Sequence, residues 1–128
     1  MKYKLSFCTV NRLSDQIAEV IVNSGIEISI EMVEELEVFF AEYFTQPFGV
    51  LINKVNHYYY AFEAKLVIGS HAHLKAIAVV NYSKEDQDFT DNFVKIRTVD
   101  QWNIQSFSGL DLGWQQAYEW LKKELSTC

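Results

Sequence analysis

Proline and glycine are scarce in this 128-residue chain, with one proline (Pro47) and five glycines. No Ser/Gly-rich linker, internal repeat or low-complexity tract divides it, so the length is read as one domain over residues 1–128. Basic charge is also short, with 11 Lys and Arg against 17 Asp and Glu and a formal net charge of −6. A field of that sign repels phosphate backbones, and no basic patch offsets it, so nucleic acid is excluded as an expected partner. No apolar run approaches the roughly 18 residues a membrane helix needs, and no transmembrane segment is expected. The opening MKYKLSFCTV lacks the apolar block of about 7 to 15 residues that marks a signal peptide. Cysteine is limited to Cys8 and Cys128, read as two unpaired thiols. These two features place the expected location in the cytoplasm.

Catalytic motifs are missing as well. The chain holds no G-x-S-x-G, no Gly-rich phosphate loop and no G-x-G-x-x-G. Ser70 stands beside His71, but sequence adjacency is not triad geometry. Cys8 has no neighbouring base to activate it. His71-Ala72-His73 has chelate spacing in a strand, but no third ligand is near and no metal is assigned. The acids Glu31, Glu34, Glu35 and Glu37 read as a solvated helix face. The expectation is a non-enzymatic domain with no cofactor.

What is present is a core: 49% of residues are hydrophobic and 15% aromatic, enough to fold rather than stay disordered. The alternation of Tyr3, Leu5 and Phe7 predicts a first strand that includes Cys8. Asn11 to Asp15 predicts a turn, and Ile17 to Asn23 a second strand paired with the first as a hairpin. Ser29 predicts the cap of a helix from Ile30 to about Phe44, with Ile30, Val33, Leu36, Phe40 and Tyr43 inward. FGVLIN (48–53) and LKAIAVVN (74–81) are continuous apolar runs, as in strands buried on both faces of a parallel sheet. Residues 54–73 between them have room for a crossover helix, and 82–98 carry a weaker helical pattern. WNIQSF (102–107) predicts a last strand, and GLDLG (109–113) a turn with Asp111 as a possible cap. A final helix then runs from Leu110 to Leu125, with Leu110, Trp114, Ala117, Leu121 and Leu125 inward and Trp120 beside them. The order is β-β-α-β-α-β-α-β-α: an α/β domain whose mixed sheet of about five strands has about four flanking helices.

That order, with the phrases EMVEELEVFFAEYF, QPFGVLINKVNHYY, KAIAVVN and GWQQAYEWLK, resembles the STAS/SpoIIAA-like superfamily, in particular its uncharacterised bacterial STAS/SEC14 branch. The resemblance implies a regulatory protein-interaction module. In that family a serine or threonine is phosphorylated in the loop after the strand matched here by FGVLIN. This chain departs from the pattern, because no Ser, Thr or Asp occurs from Gln46 through Gly69. The place is taken by NHYYYAF (56–62), from which we take Asn56, His57, Tyr58, Tyr59 and Phe62 as the expected binding surface. Open α/β sheets bind ligands beside the carboxyl ends of their strands, where this segment would lie. On a helix, three successive tyrosines cannot all face inward, so at least one is peripheral. The expected partner is a protein, including a second copy of the chain in a homodimer. The alternative is a small apolar molecule or lipid in a hollow between helix and sheet, and hydrolysis is the remotest reading.

Overall fold

The computed structural model describes residues 2–56, 58–60, 73–82, 104–109 and 112–126. Its centre is a six-stranded mixed sheet in the order β1-β2-β3-β5-β7-β8. The strands are β1 (Lys2–Lys4), β2 (Cys8–Ser14), β3 (Ile17–Val22), β5 (Phe48–Lys54), β7 (Leu74–Asn81) and β8 (Ile104–Ser108). β1, β2 and β3 run antiparallel, while β3, β5, β7 and β8 run parallel. The expected antiparallel starting edge and parallel middle are therefore both present. A separate two-stranded parallel ladder joins β4 (Glu27–Ile28) to β6 (Tyr59–Tyr60).

Two helices occur among the described residues, α1 (Ile30–Tyr43) and α2 (Gly113–Ser126). The helices expected within 54–73 and 82–98 fall mainly on 61–72 and 83–103, outside the described residues. Because side chains alternate across a strand, the sheet has two distinct cores. Ala18, Val20, Val22, Phe48 and Val50 pack with Val33, Phe39, Phe40 and Phe44 on the α1 side. Ile17, Leu51, Ala76, Ala78 and Val80 pack with Ala117, Leu121 and Leu125 on the α2 side. At Gly49 the second helix comes so close that an added Cβ would sit 2.9 Å from Leu121 Cδ2.

α1 begins as its cap requires: Ser29 Oγ accepts from the Met32 amide at 3.3 Å. Aromatic rings then dominate its inner side, with Phe40, Phe44 and Phe48 in successive contact at centroid distances of 5.9 and 4.7 Å.

The amino-terminal expectation needs two corrections. The stretch read as one strand is itself a hairpin, β1 against β2, broken at Leu5 to Phe7. The Leu5 amide donates to the Cys8 carbonyl at 2.8 Å. Ser6 gives its amide to Glu35 Oε2 at 2.9 Å and its hydroxyl to Glu35 Oε1. A helix side chain thus captures the donors that a continuous strand would have offered to a neighbour. Second, Asn11 to Ser14 do not turn but extend β2, and the reversal falls at Asp15 and Gln16. Asn11 lies directly opposite Glu19 and donates to its carboxylate at 3.0 Å, so a cross-strand bond overrides the turn preference of Asn.

Glu19 is the central polar residue of the fold. It is 6% exposed in the middle of β3, and its carboxylate accepts three N–H donors. Besides Asn11, Asn53 Nδ2 reaches Oε2 at 3.0 Å and Trp114 Nε1 reaches it at 2.7 Å. Asn53 is aligned in turn, because Tyr82 OH donates to its Oδ1 at 2.6 Å. Burial raises the Tyr82 phenol above its ordinary value, and the Glu19 charge adds to that shift. Strands β2, β3 and β5, the exit of β7 and the start of α2 meet in this network.

Glu19→Ala leaves three donors without their acceptor and is expected to cost about 3 kcal/mol or more, whereas Trp114→Phe costs about 2 kcal/mol. Urea unfolding monitored by circular dichroism measures both, and equal stability of Glu19→Ala and wild type would refute the network's role. The Ser6 bonds lower the Glu35 pKa below its ordinary value of 4.5. Their stabilisation is present above the unfolded-state value and lost as pH falls through the folded one. Glu35→Gln should therefore flatten the stability profile below about pH 5, relative to wild type, in denaturant titrations across acid pH.

Candidate functional site

An apolar hollow of about 50 Å³ lies between α1 and the sheet. Its floor is Val20, Val22, Val50, Ile52 and Ile77, and its roof is Val33, Leu36 and Phe40. Phe7, Ile28, Tyr58 and Leu74 close the sides, and among the described residues Glu37 is the one charged side chain in the wall. Period-two alternation explains the floor, because Val20 and Val22 of β3 and Val50 and Ile52 of β5 all point to the α1 face. The roof follows from helical spacing, with Val33, Leu36, Glu37 and Phe40 recurring at three to four residues. Most of the lining is buried, while Leu36, Glu37, Ile52 and Leu74 are half-buried and mark the opening.

The tyrosine segment borders this hollow, but not as the start of a helix. Residues 58–60 are extended, and the Tyr59 amide donates to the Ile26 carbonyl at 2.9 Å as β6 pairs with β4. Successive side chains therefore point to opposite sides: Tyr58 is 3% exposed and Tyr59 is 60% exposed. The division into one core and one peripheral tyrosine holds, through strand alternation rather than a helical turn. Tyr58 is part of the wall, and an ammonium, Lys54 Nζ, sits 5.0 Å from its ring centroid. Lys54 is itself 4% exposed and does not line the hollow. Asn56 donates from Nδ2 to the Val22 carbonyl at 3.0 Å, tying the end of the β5 loop to β3. His57 and Phe62 lie outside the described residues.

Cys8 is buried beneath α1, and burial, with the Glu35 charge adding to it, pushes its thiol up to about 12. A thiol so held is a poor nucleophile at neutral pH. His73 is exposed just before β7, and His71 lies outside the described residues, as do Asp111 and Cys128. Among the described residues no group of three or more His, Cys, Asp or Glu side chains is arranged to hold a metal ion. Nor is any described helix long and apolar enough to cross a membrane.

The Glu19 network was not anticipated, although one signal for it stands in the sequence. In IAEVIVN a single carboxylate interrupts an apolar, β-branched run, and such a residue must be satisfied if the strand is covered. Its partners come from positions 11, 53 and 114, a convergence that no local pattern displays.

Comparison of the chain with family models, with curated proteins and with solved structures returns no match.

Tyr58 and Tyr59 should respond oppositely to truncation. Tyr58→Ala is expected to destabilise the fold by about 3 kcal/mol, the scale for emptying a buried aromatic site. Tyr59→Ala should stay within about 0.5 kcal/mol of wild type. Thermal and urea unfolding of the two variants check this, and similar losses in both would overturn the assignment of Tyr58 to the wall.

Proposed function

We propose that this chain is a non-enzymatic STAS/SpoIIAA-like binding module whose ligand places a small apolar group in the hollow beneath α1. The observation carrying this reading is the hollow itself, an almost wholly apolar space with Tyr58 in its wall and half-buried residues at its opening. An unfilled space of this size costs a fold about 1 kcal/mol in lost packing. Retaining it has a function if a ligand supplies the missing contacts. The family likeness rests on the order of elements and on the phrases given above, and the absence of Ser, Thr and Asp from 46–69 removes the usual phosphorylation switch. Binding, rather than that modification, is then what remains of the family's role at this place.

A second reading, a regulatory interaction with a protein partner or a second copy, is favoured by a different feature. Val55 and Tyr59 are both exposed just past the carboxyl end of β5, on opposite sides of the Asn56 tether. An aromatic and an aliphatic residue, both exposed and four positions apart in the chain, suit a small interface.

Native mass spectrometry of the freshly purified protein separates the two. A retained apolar adduct, lost in Leu36→Trp, supports the hollow. A ligand present at a hundred times its Kd stabilises the fold by about 2.7 kcal/mol, so added ligand should also raise the Tm. Clean apo mass and no Tm change with any straight-chain or aromatic apolar compound overturns the first reading. A dimer that dissociates on Tyr59→Ala would establish the second.

A further inference from the structure

We infer that the outer edge of β1 is a docking site for an extended segment of another protein, added to the sheet as a further strand, whose alternate residues are lysine or arginine. The site is separate from the hollow and from the Val55 and Tyr59 surface, so it stands whatever either of those binds. Backbone pairing makes the edge available, and the charge beside it decides the occupant.

β1 is the end strand of the six-stranded sheet. It pairs antiparallel with β2, Lys2 opposite Asn11, Tyr3 opposite Val10 and Lys4 opposite Thr9. The Leu5 amide donates to the Cys8 carbonyl at 2.8 Å, and residue pairs that exchange such bonds alternate along an antiparallel ladder. Tyr3 therefore bonds to Val10, while the amides and carbonyls of Lys2 and Lys4 point away from β2. Both lysines are exposed, and neither side chain forms a hydrogen bond or ion pair among the described residues. An incoming strand finds those outward backbone groups ready to pair. The run ends at Ser6, whose amide is taken by Glu35, so the seat matches the length of β1.

Side chains alternate across β1. Tyr3 is on the α1 face, where its ring meets Phe39 at 5.1 Å and Tyr43 at 4.7 Å, and Lys2 and Lys4 are on the other. Glu35, Phe39 and Tyr43 thus mark the side of α1 that lies along β1. Glu31 and Glu42 belong to that side, four residues before Glu35 and three after Phe39. Both are exposed and without an ion pair among the described residues, and no lysine or arginine stands between Ile30 and Tyr43. In an added strand, the residue opposite Tyr3 and those two places to either side of it face these carboxylates. A lysine or arginine there lays its stem beside the Tyr3 and Tyr43 rings and carries its charge to the acids. The residues opposite Lys2 and Lys4 are then small polar or acidic ones. A second copy fits badly. Pairing β1 with its twofold mate sets lysine opposite lysine and brings two acidic helix sides together.

The probes are blocked heptapeptides: lysine alternating with threonine, glutamate alternating with threonine, and the lysine peptide with its threonine amides N-methylated. Each is titrated into the intact chain at neutral pH and low ionic strength, with amide chemical shifts read by NMR. The lysine peptide is expected to bind and to shift the Lys2 and Lys4 amides. The glutamate peptide should bind at least about tenfold more weakly. So should the N-methylated peptide, which keeps its charge but loses the donors that face Lys2 and Lys4. Lys4→Pro removes an outward donor and no ladder bond, and should weaken the lysine peptide about tenfold, whereas Lys4→Ala should not weaken it. Combining Glu31→Gln with Glu42→Gln should weaken it by a similar factor, and added salt should weaken it in wild type. If Lys4→Pro does not fold, the N-methylated peptide still tests the pairing. Equal affinity of the lysine peptide and its N-methylated form overturns strand addition. Equal affinity of the glutamate peptide, or no effect of the two glutamine changes, overturns the basic partner. A dimer of the chain that Lys4→Pro dissociates gives the edge to a second copy and overturns the proposal, as does the absence of any binding.

Discussion

A single carboxylate inside a covered sheet is the constraint around which the α2 side of this protein is arranged. Glu19 carries charge into the middle of β3, where water is largely excluded. Leaving it there unpaired would cost several kcal/mol. Among the described residues it is answered by three N–H donors, from β2, β5 and α2. Each donor lies on a different element, so the geometry of the carboxylate is also the geometry of the assembly. Tyr82 extends the same logic to the end of β7 by holding the Asn53 amide in the orientation that makes it a donor to Glu19. Hydrophobic burial under Ala117, Leu121 and Leu125 supplies the driving force for docking α2. The Trp114 bond adds direction, since apolar packing alone tolerates sliding and an indole N–H aimed at one oxygen does not.

The other face is built differently, and it holds the hollow. Under α1 the clustered contacts are rings and branched aliphatics. Aromatic rings cluster toward the end of the helix, where Phe39, Phe40, Tyr43, Phe44 and Phe48 meet. Toward its start the roof of the hollow is made by Val33 and Leu36, smaller side chains. Tyr58 closes it from the side because β6 is pinned to β4, which precedes the helix cap.

Much of this was legible before any coordinates. Ser29 and the spacing of Val33, Leu36 and Phe40 announced α1, and the unbroken apolar runs at 48–53 and 74–81 announced the parallel strands, because both signals depend on neighbours within a few residues. The misreadings share a cause. Leu5 to Phe7 alternate like a strand but break, since Glu35 from a distant helix takes the Ser6 donors. Asn11 has turn chemistry but stays extended, since its amide has a buried carboxylate opposite. Tyr58 and Tyr59 were expected on a helix and lie in extended chain, since the backbone pairs with a segment some thirty residues earlier. In each case a partner outside the immediate sequence window overrode a local preference of at most about 1 kcal/mol.

By itself, then, the sequence determined the α/β class, the mixed sheet with its antiparallel edge, the cap and inner stripe of α1, and the stripe of α2. It also determined the missing acceptor between 46 and 69. These follow from composition and short-range periodicity, which act through propensity and through which side of an element is apolar. Tertiary structure alone decided that Glu19 gathers Asn11, Asn53 and Trp114, that Tyr58 faces in while Tyr59 faces out, and that a hollow remains beneath Val33 and Leu36. Those are matters of which distant residues meet and how completely they fill the space between them. Packing in three dimensions sets both, and no window along the chain contains them.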